Sequence, residues 1–192
     1  SLEVERCCIL ASQLGAMERQ LARAVAHART RRQFGQPIGK FQSVSNRIAD
    51  MKLRIETARL LLYKVAWLVE RGRPAMLEAA LLKLYLSEAF VASGLDAVRI
   101  HGGEGYLSEG GVERDLRDAI GGVLYAGTSD IQRTLLPVLL EWFADSPDPD
   151  AGLFGFRRIS ESLGRSPWYL TMLRDEGEVA QRLAVVLGTS RS

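Results

Sequence analysis

The sequence has only two cysteines, Cys7 and Cys8, and they are neighbours. Adjacent cysteines are poorly placed to pair with each other, and on a helix they point roughly 100° apart. A disulfide framework is therefore not expected, and a reducing, cytoplasmic compartment is. Neither thiol has a second cysteine or a histidine at metal-ligand spacing, so both read as small buried apolar residues and no metal site is expected. Long hydrophobic runs are also lacking. The stretches 60–62 and 135–140 are short and flanked by charge, far below a membrane span, and no signal peptide is visible. Nor does one sign of charge dominate: 25 Lys and Arg stand against 23 Asp and Glu, a net +2. That balance argues against nucleic acid as a main partner, yet leaves room for a few arginines to bind an anionic ligand. Internal repeats and strand-like alternation of useful length are absent too.

What is present is helical periodicity. Leu10, Leu14, Met17, Leu21, Ala24 and Ala28 recur in steps of three and four, which predicts a helix over about residues 2–31. Arg29, Arg31 and Arg32 suit its negative end, and Gly35 with Pro37 stops it. A second stripe, Phe41, Val44, Ile48, Met51, Ile55, Ala58, Leu62 and Val65, fits a long antiparallel bundle helix ending near Arg71-Gly72-Arg73-Pro74. Pro74 suits the first turn of a third helix reaching Ile100, with Ala80, Leu84, Val91, Leu95 and Val98 on its inner face. A glycine-rich loop follows, then a short helix over 113–118 and the glycine pair Gly121-Gly122. Thr128 or Ser129 caps a fourth long helix to about Phe143. The expected fold is all-α: an up-and-down four-helix bundle over 1–144, a linker over 145–150 rich in Asp and Pro, and a small helical tail over 151–192.

Three strings carry chemistry. Arg31-Arg32-Gln33-Phe34-Gly35-Gln36-Pro37-Ile38, continuing to Phe41-Gln42, sets cations beside aromatic surface at a helix end. Ile100-His101-Gly102-Gly103-Glu104-Gly105-Tyr106 lets backbone approach a ligand, or is a plain helix cap. Tyr125-Ala126-Gly127-Thr128-Ser129-Asp130-Ile131-Gln132-Arg133 places hydroxyls and backbone N–H groups at a positive helix end, suited to an anion or to ordinary capping. In this order and spacing, over about residues 2–143, they resemble the C-terminal domain of the acyl-CoA dehydrogenase family.

The resemblance implies FAD as cofactor, an acyl-CoA thioester as substrate, electron-transfer flavoprotein as acceptor, and a homo- or hetero-oligomer, typically a tetramer, with FAD held across a subunit boundary. Arg31, Gln33, Phe34, Phe41 and Gln42 would face the adenosine diphosphate part of a neighbour's FAD. Arg99, Ile100, His101, Gly102 and Gly103 would line its pyrophosphate. Arg99 stands where relatives usually carry glutamine, which makes that contact a departure. Thr128, Ser129 and Asp130 would touch the subunit's own FAD.

The family's base is usually a glutamate directly before the Gly-Thr-Ser string. Here that position is Ala126, whose methyl cannot accept a proton. A branch similar to isovaleryl-CoA and long-chain acyl-CoA dehydrogenases places its glutamate before an arginine near the start of the first helix, and Glu5-Arg6 matches it. Glu5 is thus the expected base, with Arg6 and Gly127 at the substrate. Burial beside an acyl chain would raise the Glu5 carboxyl toward neutrality. Taken by itself, Glu5 is a first-turn carboxylate favoured by the helix dipole. A base-lacking, flavin-shaping subunit of a heteromeric assembly, or a pure oligomerisation module, are the other readings.

The family also has an N-terminal helical domain and a middle β-domain. The chain, already helical by Leu2, is expected to be cut from something longer, and alone to bind FAD weakly without turnover. Its tail departs from the family. Phe156-Arg157-Arg158-Ile159-Ser160-Glu161 and Ser166-Pro167-Trp168-Tyr169-Leu170, within 148–190, resemble an internal stretch of actinobacterial glutamine synthetase adenylyltransferases.

Overall fold

In a computed structural model of the chain, the structure describes residues 2–134 and 136, with side chains from residue 9 onward. Helix α1 spans Leu2–Thr30. Its stripe is buried as the periodicity predicts: Leu10, Leu14, Met17, Ala24 and Ala28 are all under a tenth exposed. The chain then makes a feature that periodicity did not reveal. Two-residue strands β1, Arg32–Gln33, and β2, Gln36–Pro37, pair antiparallel with Gln33 opposite Gln36. Phe34 (φ 51°) and Gly35 (φ 81°) turn between them. Positive φ at both central residues is the type I′ hairpin turn, whose twist matches the strands. A 3-10 turn, Ile38–Lys40, leads into α2, Gln42–Glu70.

Helix α2 buries Met51, Ile55, Ala58, Leu62, Val65 and Leu68, five of them from the expected stripe, while Phe41, Val44 and Ile48 stay half-buried at its start. It ends at the expected place for a stated reason. Gly72 adopts φ 64°, its N–H reaches Val69 O, and the Arg73 N–H reaches Leu68 O at 2.9 Å. That pair of bonds is a Schellman closure, which satisfies carbonyls the helix leaves open.

Helix α3, Met76–His101, starts later than the sequence suggested. Pro74 lies outside it, because Ala75 is fully buried with non-helical backbone (φ −134°) and the first bond runs from Ala79 N to Ala75 O. Of the expected face, Ala80 is buried and the rest is corrected. Leu95 is exposed, and Leu84, Val91 and Val98 are only half-buried. Besides Ala80, the buried set runs Ala79, Leu82, Lys83, Leu86, Ser87, Ala89, Phe90, Ser93, Gly94, Asp96, Ala97 and Ile100. α3 packs against α1, α2 and the later α5 at once, so it is apolar nearly all round and no single stripe marks its core side.

Short α4, Gly103–Tyr106, and a 3-10 turn, Ser108–Gly110, lead to α5, Val112–Gly122, longer than the expected 113–118 and including the glycine pair. Gly122, at the helix end, packs against Gln13, where a Cβ would sit 2.7 Å from Nε2. The fourth long helix, α6, begins at residue 129 as expected. The Thr128 hydroxyl caps it, accepting the Ile131 N–H at 3.2 Å. Its far end, the linker over 145–150 and the tail over 151–192 lie outside the described residues. α1 and α3 run parallel with α2 antiparallel between their ends: His27 meets His101 at one end, and Lys64 meets Glu78 at the other. The architecture is all-α. Among the described residues, no helix is long and apolar enough to cross a membrane.

Candidate functional site

The first two strings come together at one end of the bundle. The Phe34 ring is 91% exposed on the hairpin tip, and meets Phe41 edge to face at 6.2 Å. A bulky residue at positive φ is a costly backbone state, and an apolar ring in water adds to the cost. Strain and exposure at one residue are the usual mark of a site built for a ligand. Arg31 lies 3.5 Å from Glu104, which also approaches His27 at 3.8 Å. His27 stacks on His101 with ring centroids 4.5 Å apart, and His101 Nδ1 sits 2.7 Å from Ala97 O. Gln33 and Gln42 are exposed beside this cluster in sequence.

The glycines of the second string divide their labour. Gly102, with φ 61° and ψ −135°, ends α3 in a conformation that side chains avoid. Gly105 is packed too tightly for a side chain: a Cβ would lie 2.8 Å from both Val98 O and His101 Cβ. Gly103 has open space in front of it. Ile100 is buried in the core, so its side chain faces away from any ligand and only its backbone can serve one. Arg99 is half-exposed, 3.8 Å from the buried carboxylate of Asp96. Gly105→Ala should therefore destabilise the fold by about 2 kcal/mol, since backbone atoms must move to make room. Urea unfolding would show it, with Gly103→Ala nearly silent.

Burial depresses the His27 pKa, and the neighbouring His101 depresses it further, against Glu104, which raises it. A base whose folded pKa lies below its ordinary value of about 6.5 binds fewer protons folded than unfolded, so stability falls as pH drops below that value. Melting at pH 7.5 and 5.5 should differ, and His27→Gln should shrink the difference.

The third string sits elsewhere. Val123, Leu124 and Tyr125 close the end of α5 through N–H bonds to Ile120 O and Gly121 O. Ala126 follows at φ 55° and Gly127 at φ 88°, and the turn closes when Ser129 N donates to Val123 O at 3.1 Å. Thr128 is half-buried, Asp130 points into solvent, and Ser129 is buried with no hydrogen-bond partner for its hydroxyl among the described residues. Gln13 of α1 donates to Tyr125 Oη at 2.6 Å. The stretch of α1 from Gln13 to Thr30 is roughly 25 Å long at a rise of 1.5 Å per residue, so the 128–130 group and the 31–42 and 99–103 groups occupy opposite ends. Glu5 and Arg6 lie in α1, two turns before Gln13; their side chains fall outside the described residues.

Residues 1–137 match the family model for the acyl-CoA dehydrogenase C-terminal domain. The chain belongs to the acyl-CoA dehydrogenase family. It is 54% identical over 136 residues to an L-prolyl-[peptidyl-carrier protein] dehydrogenase of Pseudomonas fluorescens, covering 71% of this chain and 36% of that protein. Among solved structures, the prolyl acyl carrier protein oxidase AnaB is similar at 51% identity and a TM-score of 0.71, over 72% of this chain and 37% of that one. Butyryl-CoA dehydrogenase from Megasphaera elsdenii is similar at 40% identity and a TM-score of 0.71, over 73% and 37%. The chain thus spans little more than a third of these relatives. A separate likeness, 54% identity over 87 residues, joins it to a bifunctional glutamine synthetase adenylyltransferase/adenylyl-removing enzyme of Streptomyces avermitilis, covering 45% of this chain and 8% of that protein.

Within this acyl-CoA dehydrogenase domain, sequence reasoning missed several buried polar groups, three of which bond across elements. Asp96 accepts from Arg47 at 3.0 Å and Arg54 at 2.7 Å. Lys83, fully buried, donates to Gly122 O at 2.7 Å, at the negative end of α5. Gln13 joins α1 to the turn before Ala126. Each lies on a helix whose apolar neighbours dominate the pattern, and nothing local marks its partner.

Proposed function

We propose that the chain is the C-terminal part of an FAD-dependent dehydrogenase that introduces an α,β double bond into an acyl thioester, with Glu5 as the base in place of Ala126. The observation that carries it is the turn. Ala126 keeps a left-handed backbone and Gly127 follows it, although the side chain there is a methyl and has no acid–base chemistry. The Glu5 carboxylate takes the proton from the carbon alpha to the thioester. Bound FAD would supply the hydride acceptor for the hydrogen at the beta carbon, and the electron pair left by the proton that Glu5 takes would form the double bond.

The chain's residues fit that cofactor. The exposed Phe34 ring can cover an adenine, the free space at Gly103 admits a phosphate to the backbone, and the unpartnered Ser129 hydroxyl offers a donor at the start of α6. Separation of these groups by the length of α1 supports one FAD being met at its nucleotide end by this subunit and another at its flavin end, hence an oligomer. Electron-transfer flavoprotein is the proposed acceptor.

For the acyl group, higher identity to two enzymes named for prolyl-carrier substrates than to a butyryl-CoA dehydrogenase favours a prolyl thioester on a carrier protein over a fatty acyl-CoA. The test is a graft of residues 1–137 in place of the matching segment of the Pseudomonas fluorescens relative. Flavin bleaching by prolyl-carrier thioester is expected. Bleaching by butyryl-CoA instead overturns the substrate. Retained flavin with no bleaching by either favours the base-lacking structural subunit.

A further inference from the structure

We infer that Gln13 is a positioning residue: its amide, by donating to Tyr125 Oη at 2.6 Å, holds the turn 125–128 in register with the part of α1 that carries Glu5. The inference rests on the proposed role of Glu5. In that reading the reacting carbon lies between two separate elements, a carboxyl on α1 and the Ala126-Gly127 turn, and their spacing must be fixed by something that spans both. Gln13 does so. It stands two helical turns after Glu5, about 12 Å along the axis, and its side chain reaches the residue directly before Ala126.

The surroundings are shaped for this contact. Gly122 has no side chain because a Cβ would lie 2.7 Å from Gln13 Nε2. The Tyr125 ring lies over Gly121, where a Cβ would meet it at 3.5 Å, and the Tyr125 N–H is tied back to Gly121 O. Lys83 fixes the Gly122 carbonyl from below. The phenol is thus clamped at both ends, by its backbone and by its oxygen.

Gln13 is also an unfavourable choice for packing alone. It is 3% exposed, and its Oε1 has no hydrogen-bond partner among the described residues. A leucine of similar size would avoid burying that oxygen unsatisfied. The contact leaves the outer side of the phenol open, where Tyr125 is 42% exposed.

The test uses Gln13→Leu, Tyr125→Phe and the double variant in two settings. In the 192-residue chain, thermal unfolding should show Gln13→Leu at least as stable as the parent. In the graft described above, flavin content should be unchanged while the rate of flavin reduction at saturating substrate falls about tenfold, as a small misplacement of reacting groups produces. Tyr125→Phe should do the same, and the double variant should be no slower than either single one. An unchanged rate, multiplying effects in the double variant, or a loss that tracks lost stability or lost flavin would each overturn the inference. A parent graft that binds flavin but reduces none would instead sink the dehydrogenase reading beneath it.

Discussion

Glu5→Gln in an enzyme carrying this domain should slow flavin reduction by about a thousandfold, within the 10²–10⁴ range typical for loss of a positioned general base. The substitution keeps the shape of the side chain and removes only its ability to hold a proton. Substrate should still bind, so the loss should fall on the rate at saturation rather than on the concentration needed to reach it. Glu3→Gln is the matched control, because a helix rotates by about 200° over two residues and so turns Glu3 away from the direction of Glu5. Stopped-flow bleaching of the flavin by thioester, parent against both variants, reads the outcome. Equal rates for parent and Glu5→Gln would remove Glu5 from the mechanism. The expectation is sharp because the usual position offers no acceptor: Ala126 ends in a methyl, Gly127 has no side chain, and the Thr128 hydroxyl already accepts from Ile131 N.

The legible part of this protein was the part written in periods and punctuation. The α2 stripe predicted five of the helix's six buried positions, and Arg71-Gly72 predicted its end because a glycine at positive φ has few other uses. The start of α6 followed from Thr128. By contrast, α3 has apolar residues on several faces since it meets three helices, so a single stripe was bound to mislead. The hairpin at 32–37 escaped notice because its strands are two residues long and its first turn residue is Phe34 rather than asparagine or glycine. At the site, the three strings were visible as sequence, but the fact that two of them share one end while the third sits roughly 25 Å away is a property of helix length and packing. Gln13, Lys83 and Asp96 were silent for a related reason. Their partners lie 112, 39 and 42 or 49 positions away, and no local pattern encodes such pairings.

Asp96→Ala should cost about 3 kcal/mol of folding stability, near the lower end of what removal of one partner from a buried ion pair costs. The carboxylate is 7% exposed and takes one charge-assisted hydrogen bond from each of Arg47 and Arg54, with Arg99 at 3.8 Å. Removing it leaves two partly buried cations on α2 without the carboxylate that faced them from α3. Their partial exposure, 38% and 25%, lets water recover some of the loss and keeps the figure from going higher. The same reasoning separates the single variant from a combined one. Arg54→Met with Asp96→Leu removes acid and base together, so it should recover much of the loss, whereas an additive sum of two defects would be larger than either. Urea unfolding of the parent, Arg54→Met, Asp96→Leu and the double variant decides between these. Arg99 adds a functional arm: it shares the Asp96 carboxylate, so Asp96→Ala frees it to move beside Gly102. FAD affinity in the graft should then change in Asp96→Ala and hold in Arg47→Leu, which leaves the Arg54 and Arg99 contacts with Asp96 intact. Loss of stability without that difference in affinity would make the Asp96 cluster a purely structural tie between α2 and α3.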